Sequence, residues 1–286
     1  MTTSDGASAS AADAVIGLVG RCEAEDGVAP LNESATLVAL GERPGDVHRE
    51  HAGRALAGIA IADPREQSIV VAVDPAHRRH GIGSRLLTAD LAAHPAYSVW
   101  AFGTLPAAER LAAGLSLVPV RRLLRLERDL GDEPETSPPE GYRITTYSPD
   151  DAAAIVAVNA AAFAHHPEQG RLTVEEFLGL TRQPWFSPDG LLLARRGDEL
   201  AGFHWTKRHD AELGEVYVLA VHPDHHGGGL GRSLLEAGLA HLARSGCHRV
   251  LLYVEGDQER VVRLYRSAGF EQAAVDTSYR RQVEEG

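Results

Sequence analysis

Apolar and polar positions along the chain switch repeatedly between a period near two and a period near 3.6, and the order of the switches predicts the order of elements. Val15, Ile16 and Val19, with Cys22 following, fall at helical spacing and predict a helix over residues 13–24. The Ser-, Ala-, Thr- and Asp-rich dozen before it is expected to fray. The stretch DGVAPLNESATLVAL then leads into a second helix, with Asn32 or Ser34 as its cap. Strands are predicted at 47–52, 54–61 and 68–73, followed by a Gly-containing loop and a helix over 84–93. A strand at 98–102, a helix at 106–113 and one or two strands within 119–128 complete this part. The run GDEPETSPPEG at 131–141 is acidic, Pro-rich and without periodic apolar residues, and it reads as a linker.

The pattern then resumes. A strand is predicted at 142–147, a helix at 150–163 with Ile155, Val158 and Phe163 on one face, and a polar loop at 165–170. A helix at 173–180 carries a capping box, Thr173 with Glu176 three residues on. Strands at 190–195 and 199–207 flank an Arg-Gly-Asp turn. A strand at 215–221, a long amphipathic helix from about Arg232, a strand at 249–254, a helix at 259–268 and a final paired segment at 270–280 follow.

The two parts repeat one motif. Residues 71–87 read VAVDPAHRRHGIGSRLL and residues 219–235 read LAVHPDHHGGGLGRSLL, so that Gly81 recurs as Gly229, displaced by 148 residues. Such self-similarity predicts two copies of one module, here 1–130 and 142–286 around the 131–141 linker. In each copy an apolar strand feeds a Gly-rich loop at a helix N-terminus. Free N–H groups and the helix dipole make that junction an anion site, and glycine lets backbone approach a phosphate closely. The loop lacks the Gly-Lys-Ser/Thr ending of a P-loop and the acidic residue that follows a dinucleotide fingerprint.

The spacing Arg78-x-x-Gly81-x-Gly83, matched by His226-x-x-Gly229-x-Gly231, resembles the pyrophosphate loop of the GNAT N-acetyltransferases. The resemblance implies two tandem GNAT folds, α/β (α+β) in class, each a mixed and mostly antiparallel sheet flanked by helices, with acetyl-CoA as the donor. His226 departs from the usual Arg or Gln.

Charge and composition narrow the partners. The 286 residues carry a formal net charge of −12, with no Lys/Arg stripe interleaved with aromatics, which argues against nucleic acid. No apolar run reaches the roughly 18 residues of a membrane span, and no secretory leader is recognisable. Two cysteines, Cys22 and Cys247, make no disulfide framework; a cytoplasmic location follows, and a monomer is expected. His204, His209, His222, His225 and His226 match no zinc spacing, so no metal is expected.

Acetyl transfer to an amine needs a base, N–H donors for the oxyanion and a proton for the departing thiolate. Glu215 is the expected base, because Glu is depleted in strands and this one opens the cradle strand. Backbone N–H groups of 218–221 are the expected oxyanion donors. Tyr265, four residues before Gly269-Phe270, is the expected acid, as the GNAT resemblance implies. The first copy has Gln67 where the second has Glu215, and Arg110 four residues before Gly114-Leu115. It is therefore expected to bind acetyl-CoA without turnover.

The blocks AAFAHHPEQG, AGFHWTK, LGEVYVLAVHP, LLYVEGD and RLYRSAGF together resemble the mycothiol synthase family, tandem-GNAT enzymes that acetylate the cysteinyl amine of Cys-GlcN-Ins. This resemblance implies that Glu33, Glu168, Lys207, Glu215 and Tyr253 contact the thiol-sugar. It implies one acetyl-CoA site at Leu219, Ala220, Val221, His226, Gly227, Gly228, Gly229, Leu230, Gly231 and Arg232, joined by Gln258, Glu259, Arg260, Val261, Val262 and Arg263. It implies a second at Val71, Ala72, Val73, Arg79, His80, Gly81, Ile82, Gly83 and Ser84. Gln258 stands where the family commonly has Asn. Alternative readings are a tandem GNAT acting on another small amine, such as an aminoglycoside or a protein N-terminus, and a non-catalytic acetyl-CoA-binding regulatory protein.

Overall fold

A computed structural model describes residues 4–133, 137–164 and 169–282. The chain divides into two compact units: Met1–Leu124 with Glu255–Asp257 and Ala274–Gly286, and Arg125–Val254 with Gln258–Ala273. The elements of the first unit are α1 (Ser4–Asp26), α2 (Glu33–Ala39), β1 (Asp46–Ala52), β2 (Ala55–Asp63), β3 (Ser68–Val73), α3 (Ile82–Ala93), β4 (Ser98–Ala101), α4 (Pro106–Gly114) and the first part of β5 (Leu117–Asp129). In place of the frayed start expected for the first dozen residues, helix α1 runs from Ser4. Ala7, Ala9, Ala11, Ala12 and Ala14 supply the helix propensity there, between weaker Ser, Asp and Gly residues. Asn32 caps α2, its side chain accepting from the Ala35 N–H at 2.8 Å.

β2 reads ALAGIAIAD and is buried on both faces, as a central strand must be. It pairs antiparallel with β1 and, without a break in register from Gly58↔Val73 to Asp63↔Ser68, with β3. Gly58 lets α3 sit directly on the sheet, since a Cβ there would lie 2.6 Å from Ile82 Cγ2. β3 and β4 run parallel over Ser68–Ser98, Ile69–Val99 and Val70–Trp100.

The other neighbour of β4 is the last strand of the chain, β11 (Glu271–Arg281), antiparallel with Thr277↔Ala101, Ser278↔Trp100 and Tyr279↔Val99. Asp276 accepts from the Gly103 N–H at 2.7 Å, and Thr104 Oγ1 donates to the Val275 carbonyl at 2.6 Å. The expected boundary of 142–286 for the second module thus differs from the structure. Residues from Ala274 on belong to the first unit, because the open edge of β4 is satisfied by β11.

In the second unit, β6 (Arg143–Thr146), α5 (Ala152–Ala162), α6 (Val174–Leu180), β7 (Leu191–Arg196), β8 (Glu199–Arg208), β9 (Leu213–Val221), α7 (Leu230–Arg244), β10 (Arg249–Glu255) and α8 (Glu259–Ser267) follow the order read from the periodicity. The strands lie in the order β10-β9-β8-β7-β6. α5 and α6 cover one face, where Ile155, Phe177, Leu193, Phe203 and Trp205 form the core. α7 covers the other, against Gly202 and His204. Thr173 and Glu176 form the capping box of α6, with Thr173 N–H to Glu176 Oε2 at 2.9 Å.

Candidate active site

β9 and β10 are parallel and register only over Leu213–Arg249, Gly214–Val250 and Glu215–Leu251. Beyond Glu215 the ladder ends, while β9 runs on to Val221 and β10 to Glu255. On its other edge β9 carries a bulge: Val218 faces Trp205 and Val216 faces Thr206, leaving Tyr217 as the extra residue. A bulge re-aims the local backbone groups and bends the strand. Here it falls just past the point where β10 leaves. The β9 N–H groups past Glu215 that face away from β8 are therefore no longer in the β9–β10 ladder.

Past Val221 the chain makes a short turn and reaches the loop. Gly227 and Gly229 have φ of 89° and 83°, conformations that a side chain with a Cβ avoids. Gly229 is the N-cap of α7, with open space around it and around Gly227 and Gly228. The N–H groups of Leu230, Gly231 and Arg232 follow in the first turn of that helix. In the first unit Gly81 caps α3 in the same left-handed conformation, φ 76°.

The His226 departure has a structural account. Arg78 Nε donates to the Val73 carbonyl at 3.1 Å, and His226 Nε2 meets the equivalent Val221 carbonyl at 3.0 Å. A carbonyl only accepts, so His226 donates through Nε2–H. The histidine reproduces the tie between loop and strand end. Arg78 is also held by Asp26 through paired bonds of 2.8 and 2.7 Å. Its side chain therefore serves α1, which leaves the loop backbone as the group facing open space. Gln258 is the N-cap of α8 without a side-chain cap bond, and Glu259 pairs with Arg263 at 3.0 Å on the exposed face. Val262 and Ala220 are buried, so a ligand would meet them through the backbone. Arg260 and Val261 lie on the first turn of the same helix.

Lys207 and Glu215 are opposite each other across β8 and β9, and Glu215 is in register with Leu251 on β10. Registered residues share a face of the sheet, and so do residues two apart on a strand. Lys207, Glu215, Leu251 and Tyr253 thus fall on one face where the strands part. Glu215 is 8% exposed and its Oε2 lies 2.8 Å from His209 Nε2. The Lys207 ammonium sits 4.9 Å from the Trp185 ring centre and 5.5 Å from that of Tyr217. Tyr253 is 45% exposed.

The remaining expected site residues are placed as follows. Glu33 is on the exposed first turn of α2 in the first unit, and Glu168 lies outside the described residues. Tyr265 is 6% exposed and its ring packs edge-on to Phe270 at 5.7 Å. Burial pushes the phenol well above its ordinary range, so it stays protonated at neutral pH. His209 and Trp185 are the partners that sequence reasoning did not assign. No local signal marks His209, which the 209–212 turn folds back beside Glu215 only once β8 and β9 pair. Trp185 lies in an irregular loop, and its place beside Lys207 leaves no periodic signal.

The first unit holds a cavity of about 630 Å³ that runs from the loop residues Arg79, Gly81, Ile82, Gly83 and Ser84 to Val71, Ala72 and Val73 and on to Trp100 and Tyr279. His80 is in the same exposed loop, its Nδ1 2.8 Å from the Arg78 carbonyl. Gln67 precedes β3 with φ 47°, and the β2–β3 ladder contains no bulge. Arg110 lines the cavity where the second unit has a tyrosine on its helix. Among the described residues, no group of three or more His, Cys, Asp or Glu side chains is placed to hold a metal ion.

The acetyltransferase (GNAT) family profile matches residues 160–270. The mycothiol acetyltransferase of Propionibacterium freudenreichii subsp. shermanii is 43% identical over 274 residues, covering 93% of this chain and 88% of that protein. The mycothiol acetyltransferase of Thermobispora bispora is 44% identical over 282 residues, covering 94% and 95%. A GCN5-related N-acetyltransferase from Sphaerobacter thermophilus superposes with a TM-score of 0.74 at 23% identity, covering 94% of this chain and 92% of that one. A tandem GNAT protein from the clavulanic acid biosynthesis pathway gives 0.69 at 19% identity, with 94% of each chain covered. Fold and sequence together define an N-acetyltransferase built on tandem GNAT architecture. Within that class, the chain belongs to the mycothiol acetyltransferase family.

Proposed function

We propose that this chain transfers the acetyl group of acetyl-CoA to the cysteinyl amine of Cys-GlcN-Ins, forming mycothiol and CoA, and that the transfer takes place in the second unit. The observation that carries the placement is the asymmetry of the cradle strands. β9 is bulged at Tyr217 and its pairing with β10 ends at Glu215, whereas the β2–β3 ladder is unbulged, β3 pairs with β4 through Val70, and Gln67 stands before the strand.

Acetyl-CoA, when bound, supplies the thioester; the loop 226–232, strand residues 219–221 and the start of α8 at 258–263 would hold it. Glu215 accepts a proton from the attacking amine, forming O–H as N–H breaks. Strand N–H groups of 218–221 donate to the carbonyl oxygen as it gains charge. Tyr265 gives its phenolic proton to the sulfur as the C–S bond breaks. Lys207 and Tyr253 meet the hydroxyls and carbonyl of the acceptor, and Glu33 and Glu168 keep the acceptor contacts that the family resemblance implies. The first unit binds a second acetyl-CoA in its cavity and does not turn it over. Buried free thiols at Cys22 and Cys247 support a cytoplasmic setting, and a monomer is the working unit.

The test is CoA release by purified protein with acetyl-CoA and one of three acceptors: Cys-GlcN-Ins, glucosamine or an aminoglycoside. We expect release with Cys-GlcN-Ins to exceed the other two by at least about 100-fold in kcat/KM, the discrimination available to a site that hydrogen-bonds its acceptor. Comparable release with the aminoglycoside would move the reading to a broader amine acetyltransferase.

A further inference from the structure

We propose that His209 is the positioning residue for the acetyl-transfer base, an inference that rests on Glu215 acting as that base. The Glu215 carboxylate is nearly buried, and a buried charged group needs a hydrogen-bond partner. An ionised carboxylate only accepts, so the 2.8 Å contact fixes His209 as the donor through Nε2–H. That bond occupies Oε2. It leaves Oε1 to take the proton of the amine, and the His209 proton stays where it is throughout the step.

The scaffold behind His209 is rigid. Its N–H donates to the Leu213 carbonyl at 3.0 Å, closing the β8–β9 hairpin. Asp210 Oδ1 accepts from the N–H groups of Glu212 and Leu213 at 2.7 and 2.8 Å, pinning the turn. Those bonds also hold the Asp210 carboxyl below its usual range, so it stays ionised and keeps the turn closed at working pH. The cation opposite Glu215 is directed elsewhere, because the Lys207 ammonium lies over the Trp185 and Tyr217 rings. The orientation of the carboxylate thus comes from the hairpin turn through the imidazole. A base held in one rotamer, with one oxygen committed and one free, meets the amine without reorganising.

The experiment compares full-length wild type, His209→Ala, His209→Gln and Glu215→Gln by CoA release under saturating and limiting substrate, with thermal midpoints measured alongside. We expect His209→Ala to lower kcat by about tenfold or more while the KM for acetyl-CoA stays within about twofold. His209→Gln, whose amide N–H can replace Nε2–H, should recover most of the loss. A kcat unchanged in His209→Ala, with Glu215→Gln inactive, would overturn the positioning role and leave the base in place. Equal impairment of the Gln and Ala variants would also overturn it, because the donor would then not be what matters. Full turnover by Glu215→Gln would remove the base itself, and this inference with it.

Discussion

His204 shows how one residue can tie the core to pH. It is fully buried, and its Nδ1–H donates to the Leu234 carbonyl at 2.8 Å. Burial pushes its ring down from 6.5 to about 4. The folded state therefore holds the neutral ring, and the unfolded chain binds a proton first as pH falls. The stability that this neutral ring contributes is complete above about pH 6.5 and is lost between there and about pH 4, on the order of 3 kcal/mol. Burial depresses His241 in the same direction. We expect the thermal midpoint to fall steeply from pH 7 to pH 4.5, and to fall less in His204→Leu. An equal fall in both would show that acid acts elsewhere. The proposed catalytic residues carry a different lesson at this scale. Glu215 could be picked from the sequence because a carboxylate in an apolar strand wants a reason. Its partner His209 could not, because only the closed hairpin brings the two side chains together.

At the scale of elements, period and punctuation carried most of the fold. The capping box of α6, the Gly-capped starts of α3 and α7 and nearly every strand were legible as local patterns. What was not legible depends on pairing. The bulge at Tyr217 exists only as a mismatch between β8 and β9, and nothing in GEVYVLAV marks it. The destination of β11 was also hidden, since an edge on β4 can be filled by any strand with a compatible face. Its consequence is testable. A chain ending at Ala273 removes the residues that pair with β4, together with the Asp276 and Thr277 contacts to Gly103 and Thr104. We expect limited proteolysis, read by mass spectrometry, to cut such a chain within residues 1–124 under conditions where the full chain resists. Equal resistance would mean that the first unit holds without its last strand. An isolated 142–286 fragment is for the same reason not a faithful second module.

At the scale of the whole molecule, two units share a loop and differ in what surrounds it. The first has the cavity and the αL-capped helix, with Gln67 and an unbroken ladder beside it. The second has the bulge, a parallel ladder that ends at Glu215 itself and the Glu215–His209 pair. The repeat shows one part of this difference in the sequence, as Glu215 against Gln67, and the chain belongs to the mycothiol acetyltransferase family. The most direct test of the central claim is CoA release from acetyl-CoA and Cys-GlcN-Ins by wild type and Glu215→Gln at equal folded concentration. Placing the base in the second unit predicts a loss of at least about 100-fold in kcat for Glu215→Gln, with acetyl-CoA still bound. Turnover within about threefold of wild type would contradict it, because the chemistry would then run without the carboxylate proposed to take the proton of the amine.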